Sequence, residues 1–299
     1  MAIQMNLAEL LTWGMKNLAI SEISTPARDA CKLLCHVTNL STETLLVRGK
    51  NILAEDDVIR DYKKLIKHRC ELVPIAYLTG KTEFMGLDFE VNKSVLIPRP
   101  VTETLVNESI SVINRFNIKL VLDLCTGSGC VGISLAHICP GLRVVSSDIS
   151  SEALDLAKKN ALRLGVLDRM IFVKSDIFDS FSHHIMKDLN KKEESIGKFK
   201  LIASNPPYIV SENIQNLPFS VKTYEPISAV DGGMDGIQFY RRIFEDGKEY
   251  LLPGGVMLLQ IDVNKKEIIQ NLALSYGYSF DGIARDLKGQ ERVLRVCLG

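Results

Sequence analysis

Asn205, Pro206, Pro207 and Tyr208 follow directly on the apolar run Leu201-Ile202-Ala203 and its closing Ser204. Neither proline has a backbone N–H, and each fixes its own φ while restricting the residue before it, so the chain there is extended, stiff and outside any strand ladder. A stiff loop at a strand end presents Asn205 as an amide with fixed hydrogen-bonding atoms and Tyr208 as a flat aromatic face. That combination suits a planar NH2 group, whose nitrogen is a poor nucleophile because its lone pair is delocalised; the barrier to peptide C–N rotation, roughly 18–20 kcal/mol, measures the effect. The Asn205 side-chain oxygen and the Pro206 carbonyl can each accept one N–H bond and hold the nitrogen as it loses planarity, with Tyr208 stacked on the group.

A second stretch, Asp123 to Gly132, reads DLCTGSGCVG at the junction of a predicted strand and helix. Gly127, Gly129 and Gly132 satisfy the GxGxxG spacing, and Asp148 at the end of the next predicted strand supplies an acid for ribose hydroxyls. Taken alone, this describes a nicotinamide enzyme quite well. Asp123, however, sits badly beside a pyrophosphate and would receive an ammonium instead; the ligand that joins an amino acid to adenosine is S-adenosylmethionine. The third strand also ends in an acid, Asp176, placed to read an adenine amino group. The plainer alternative is a tight turn and nothing more, against which stand three acids at three successive strand ends. In a doubly wound sheet ligands lie beyond the carboxyl ends of the strands, so the glycine loop and the Asn205 loop border one crevice.

The elements that must position these residues fall into two regimes. Residues 1–75 read as a small helical bundle: Leu7, Leu10, Leu11, Met15 and Leu18 recur at helical spacing, Thr25 precedes Pro26 as a predicted cap, and Val58, Tyr62, Leu65 and Ile66 share a face. Residues 76–98 alternate apolar and polar positions around Gly80 and Gly86, the pattern of a β-hairpin connector. From residue 99 to 299 helix and strand patterns alternate, which predicts a mostly parallel sheet with helices on both faces; the last two strands have no helix between them, which predicts an antiparallel edge.

Composition bounds the function. The 299 residues are 46% hydrophobic, enough for a full core. Lys plus Arg and Asp plus Glu both number 36, so no overall basic field attracts nucleic acid. No apolar stretch is long enough for a membrane span, and Glu9 interrupts the N-terminal pattern, so neither a span nor a signal peptide is expected and the cytoplasm is the default compartment. The seven cysteines form no CxxC pair, which argues against a disulfide frame or structural zinc. His183 and His184 have no carboxylate partner at ligand spacing and read as part of a solvated loop; no metal is expected.

The chain resembles the release factor glutamine N(5)-methyltransferases of the PrmC/HemK type. The resemblance is carried by PIAYLTGKTEFMGLDFEV, LIPRP with Thr102 and Glu103, DLCTGSG, SDISSEAL, SNPPYI, YEPISAVDGGMDGIQFYRRI, LPGG and RDLKGQERVL, running from about residue 74 to the C-terminus. It implies a class I S-adenosylmethionine-dependent methyltransferase fold, Rossmann-like, behind a helical substrate-recognition domain. It further implies a cofactor site at Asp123, Cys125, Thr126, Gly127, Ser128, Gly129, Asp148, Asp176, Ile177 and Asn205. The substrate, a glutamine in the Gly-Gly-Gln motif of peptide chain release factors, would be held by Asn205, Pro206, Pro207 and Tyr208, with Asn205, Pro206 and Tyr208 carrying the chemistry. Val101 stands where the family has an acid, Cys125 where it has a glycine, and LLQID where it has LLEIG. A monomer with no membrane or direct nucleic-acid partner is expected. Two alternatives remain from the sequence: a DNA or RNA amino-methyltransferase, which would flip a base and normally needs a basic recognition region, and a non-catalytic cofactor-binding partner of the translation machinery.

Overall fold

The computed structural model describes residues 5–181 and 198–299, and His183 and His184 lie outside them. The described chain divides into two compact units: residues up to Lys81 together with Pro218–Tyr224, and Thr82–Leu217 together with Glu225–Gly299.

The first unit is helical, with α1 Leu7–Ile20, α2 Pro26–Thr38, α3 Thr42–Arg48, α4 Asp56–Cys70 and the short α5 Ile75–Thr79. Asn6 and Glu9 close a reciprocal capping box that starts α1, each backbone N–H bonded to the other's side chain at 2.9 Å. Leu10, Leu18, Leu33 and Leu34 are fully buried with Tyr62, whose hydroxyl donates to the Ala30 carbonyl at 3.1 Å. Each such leucine contributes on the order of 1.5–3 kcal/mol. Thr25 does precede α2, but its hydroxyl caps no backbone amide. It donates instead to the buried Asp29 at 2.9 Å, which also pairs with Arg69 at 2.9 Å, because a desolvated carboxylate claims the nearest donors. The segment Pro218–Tyr224 belongs here too: Tyr224 donates its hydroxyl to the Glu71 carbonyl at 2.8 Å.

The hairpin is shorter than its pattern suggests. Residues 75–79 are helix α5, ended by Gly80 at φ 71°, and the paired strands are β1 Lys81–Phe84 and β2 Leu87–Glu90.

The second unit carries a sheet of strands β3 Leu120–Leu124, β4 Arg143–Asp148, β5 Met170–Lys174, β6 Phe199–Ser204, β7 Leu251–Gln260, β8 Tyr278–Arg285 and β9 Glu291–Leu298. These seven lie in the order β5-β4-β3-β6-β7-β9-β8. The first five are parallel, and β9 runs antiparallel to both β7 and β8. All five residues of β3 are buried, as a strand covered on both faces requires. Leu122 and Leu124 point into one core cluster and Val121 into the other. Helix α6 Glu103–Phe116 precedes β3, α7 Cys130–Ile138 joins β3 to β4, and α8 Ser151–Arg163 joins β4 to β5. A helix at Lys266–Ser275, absent from the alternation read in the sequence, separates β7 from β8.

The chain leaves β3 in one direction through β4 and β5 and then returns to lay β6 on its other side. That reversal is the switch point at which doubly wound sheets bind ligands.

Candidate active site

A cavity of about 570 Å³ opens at the carboxyl ends of β3, β4, β5 and β6. Its floor begins in β3. Asp123 is buried, and its Oδ2 accepts the Thr126 hydroxyl and, at 3.0 Å, the Gly132 backbone N–H. Burial nevertheless dominates and pushes the carboxyl up to about 7, against the two hydrogen bonds that pull it down.

The loop after β3 turns tightly, with Gly127 at φ 55° and Gly129 at φ 82°, conformations open to glycine at no steric cost. Gly132 serves a different end: a Cβ there would lie 2.7 Å from Ser146 Oγ and 2.8 Å from Asp123 Oδ2, so the missing side chain lets α7 approach the sheet. Cys125 stands in the same left-handed region at φ 59° without being glycine, and Ile177 does so at φ 51° while β-branched. Both line the cavity, so two strained backbone positions lie where a ligand would sit. Desolvation raises the Cys125 thiol above its ordinary range, which keeps it neutral.

The acids at the strand ends differ in their partners. Asp148 Oδ2 accepts the Gly127 N–H at 2.8 Å and Oδ1 accepts the Ser150 N–H at 3.0 Å, which fixes the carboxylate while leaving lone pairs for hydroxyl donors. Asp176 lies two residues beyond the end of β5 and pairs with Arg242 at 2.8 Å. Arg242, from the helix Gln238–Tyr250, also lines the cavity.

Asn205 begins the loop beyond β6. Ser204 donates its hydroxyl to the Leu124 carbonyl at 2.9 Å, which locks the ends of β6 and β3 together just before the loop starts. Asn205 Oδ1 is buried and has no hydrogen-bond partner in the protein, and neither has the Ser128 hydroxyl across the cavity. Buried orphans of this kind cost about 1–3 kcal/mol each unless a ligand supplies the missing partner.

Ten of the residues singled out in the sequence therefore share one cavity wall: Asp123, Cys125, Thr126, Gly127 and Ser128 from the glycine loop, Asp148, Asp176 and Ile177 from the next two strand ends, and Asn205 and Pro207. Gly129, Pro206 and Tyr208 are not among its lining residues. The ring of Tyr208 packs against the core cluster. Arg99, Glu225 and Arg242 carried no role in the sequence reading. Glu225 is buried, accepts the Ile97 N–H at 3.2 Å and pairs with Arg99, which lines the cavity. Their only signal is membership of the motif blocks LIPRP and YEPISAVDGGMDGIQFYRRI.

The wall fits an adenosyl amino acid: a fixed carboxylate for two ribose hydroxyls, a buried acid for an ammonium, and two lining residues, Ser128 and Asn205, that each carry a buried oxygen without a partner.

Residues 9–80 match the family model described as the PrmC N-terminal domain, and residues 118–277 match one described as a methyltransferase domain. The release factor glutamine methyltransferase of Clostridium acetobutylicum is 37% identical over 254 residues, 85% of this chain and 85% of that relative. That of Thermodesulfovibrio yellowstonii is 32% identical over 92% of this chain and 94% of its own. Among solved structures, the catalytic domain of hMettl16 in complex with MAT2A 3′UTR hairpin 1 has a TM-score of 0.53 at 13% identity, covering 89% of this chain and 93% of that one. At such identity the likeness is one of fold. No helix among the described residues is long and apolar enough to cross a membrane.

Proposed function

The chain belongs to the release factor glutamine methyltransferase family, and on that premise we propose that it transfers a methyl group from S-adenosylmethionine to the side-chain amide nitrogen of the Gly-Gly-Gln glutamine in peptide chain release factors. The observation that carries this reading is the buried, unpartnered Asn205 Oδ1 in the wall that also holds Asp123 and Asp148. An amide N–H is the donor it lacks.

Asp148 would accept the ribose hydroxyls, Asp176 and Ile177 would border the adenine, and Asp123 would receive the ammonium, with Cys125, Thr126, Gly127, Ser128 and Gly129 shaping the turn between them. When bound, S-adenosylmethionine supplies an electrophilic methyl group on a cationic sulfur. Asn205 Oδ1 accepts one N–H of the substrate amide and the Pro206 carbonyl the other. These bonds strengthen as the nitrogen loses planarity and gains positive charge, so they stabilise the transition state more than the ground state. Pro207 stiffens the loop and borders the amide, and packing of the Tyr208 ring on the core holds the far end of the loop still.

The helical unit, residues 1–75 in the sequence division, is assigned to recognition of the folded release factor; the exposed Leu46 and Val47 on α3 support this role. Equal numbers of acidic and basic residues favour a protein over a nucleic-acid substrate. We take the enzyme to act as a monomer in the cytoplasm.

The test is transfer of labelled methyl to purified release factor, to the same factor with its Gly-Gly-Gln glutamine replaced by alanine, and to an equal mass of DNA. Label in the first alone is expected. Label in DNA, or undiminished label in the alanine factor, overturns the reading.

A further inference from the structure

Two prolines leave the loop after β6 with few ways to be held. Pro206 and Pro207 donate no hydrogen bond, and β6 ends at Ser204. Beyond the prolines the backbone is tied to the turn Val230–Gly236: Ile209 donates to the Val230 carbonyl at 2.9 Å, Gly232 to the Ile209 carbonyl at 2.7 Å and Ser211 to the Gly233 carbonyl at 3.0 Å. The junction of the prolines with this ladder is the Tyr208 carbonyl.

Lys265 reaches that junction. It closes the turn Val263–Lys265 after β7, and its half-buried Nζ donates to the Tyr208 carbonyl at 3.0 Å and to the Asp235 carbonyl at 2.9 Å. The opposite turn is shaped to admit it. Gly236 has φ 68°, and a Cβ there would overlap the ammonium and lie 2.6 Å from the Tyr208 oxygen; a Cβ at Gly232 would lie 2.6 Å from Tyr208 Cα. Two glycines thus bring the turn against the backbone of Tyr208, and the ammonium spans both segments from a third.

We propose that Lys265 is a positioning residue for methyl transfer: by tying the Tyr208 and Asp235 carbonyls together it holds the Asn205–Tyr208 loop in the geometry that grips the substrate amide. The inference rests on the reading of that loop as the amide-binding loop. Its effect belongs in the rate of the chemical step, because a loop free to shift by an ångström still admits substrate but seldom aligns it.

The experiment compares the full-length enzyme with Lys265→Met, which keeps the stem and removes the donors, and Lys265→Gln, which keeps two donors without charge. Measured are kcat on release factor, S-adenosylmethionine Kd, melting temperature, and amide hydrogen exchange of Ile209 and Ser211. Lys265→Met is expected to lower kcat about 10–100-fold, to speed exchange of those amides several-fold, and to leave Kd within about threefold; Lys265→Gln should fall between it and the wild type. The proposal is overturned if Lys265→Met leaves exchange and kcat within about threefold of wild type, or if kcat, Kd and melting temperature fall in step in both variants, the mark of a merely structural lysine. Should wild-type enzyme methylate no release factor, the proposed function fails and the role in methyl transfer with it; the exchange measurement, which needs no substrate, then tells separately whether Lys265 holds the loop.

Discussion

Gly127 donates its backbone N–H to Asp148 Oδ2 at 2.8 Å, so the acid at the end of β4 is fastened to the turn that follows β3. Asp148 thereby shapes the glycine loop, and in the proposed cofactor site its remaining lone pairs would have a second duty toward the ligand.

The two duties separate in Asp148→Asn and Asp148→Ala. About two ribose hydroxyl bonds to a carboxylate, at roughly 1.5–3 kcal/mol each, are lost in alanine. S-adenosylmethionine affinity should fall on the order of 10²-fold or more, and less in asparagine, which keeps an acceptor oxygen. Calorimetric titration checks this; an alanine variant within threefold of wild type would remove Asp148 from the cofactor site.

Asp123 gives a pH dependence of defined sign. Burial pushes its carboxyl up from 3.8 to about 7 in the folded protein. Between about pH 4 and 7 the folded state holds a proton that the unfolded chain has released, so this group's contribution to stability is full below pH 4, declines as pH rises to about 7, and is level above. Asp123→Asn lacks the decline. From pH 5 to 7 the unfolding free energy of wild type should fall by about 2 kcal/mol relative to the variant. Urea unfolding curves at the two pH values provide the comparison, and an unchanged difference would place the titration elsewhere.

Cys125 stands at φ 59°, where a Cβ crowds the backbone. Replacing it with glycine relieves that strain but loses packing against the core and adds freedom to the unfolded chain, so the net change should be under about 1 kcal/mol. Cys125→Val adds branching at the same φ and should cost about 2 kcal/mol. Denaturant midpoints at constant slope decide; a valine variant as stable as wild type would mean that the loop can change its backbone.

Much of the fold was legible because its signals are local. β3 is legible from the apolar run Leu120-Val121-Leu122 ahead of the glycine loop, and the alternation of helix and strand gives away the parallel sheet. The helix Lys266–Ser275 is legible in principle, since Ile269, Leu272, Ala273 and Tyr276 recur at helical spacing and pack on the core, but it follows β7 after a single short turn and is easily passed over as a loop between strands. The hairpin reads longer in sequence than it is because the short run Ala76-Tyr77-Leu78-Thr79 suits a strand as well as one helical turn, and Gly80, which ends that turn, also serves as a hairpin signal. In the site, Asn205 and the glycine loop announce themselves through composition at fixed spacing. The Arg99–Glu225 pair spans 126 residues and depends on which loops the sheet brings together, so no local pattern marks it. The direction of the Tyr208 ring is equally invisible in sequence, since packing on the core decides it.

In the proposed function Asn205 Oδ1 is the acceptor for the substrate amide, and kcat of Asn205→Ala tests this most directly when read beside cofactor affinity and melting temperature. The bond strengthens only as the nitrogen loses planarity, so its loss should appear in kcat, on the order of 10²–10³-fold, while S-adenosylmethionine affinity stays within a few-fold. Asn205→Asp, which keeps an oxygen in nearly the same place, should retain more activity than alanine. A folded, cofactor-binding and nearly inactive alanine variant is the predicted result. A variant that loses stability, cofactor affinity and rate in proportion would show that Asn205 only shapes the turn before the prolines, and would contradict the account.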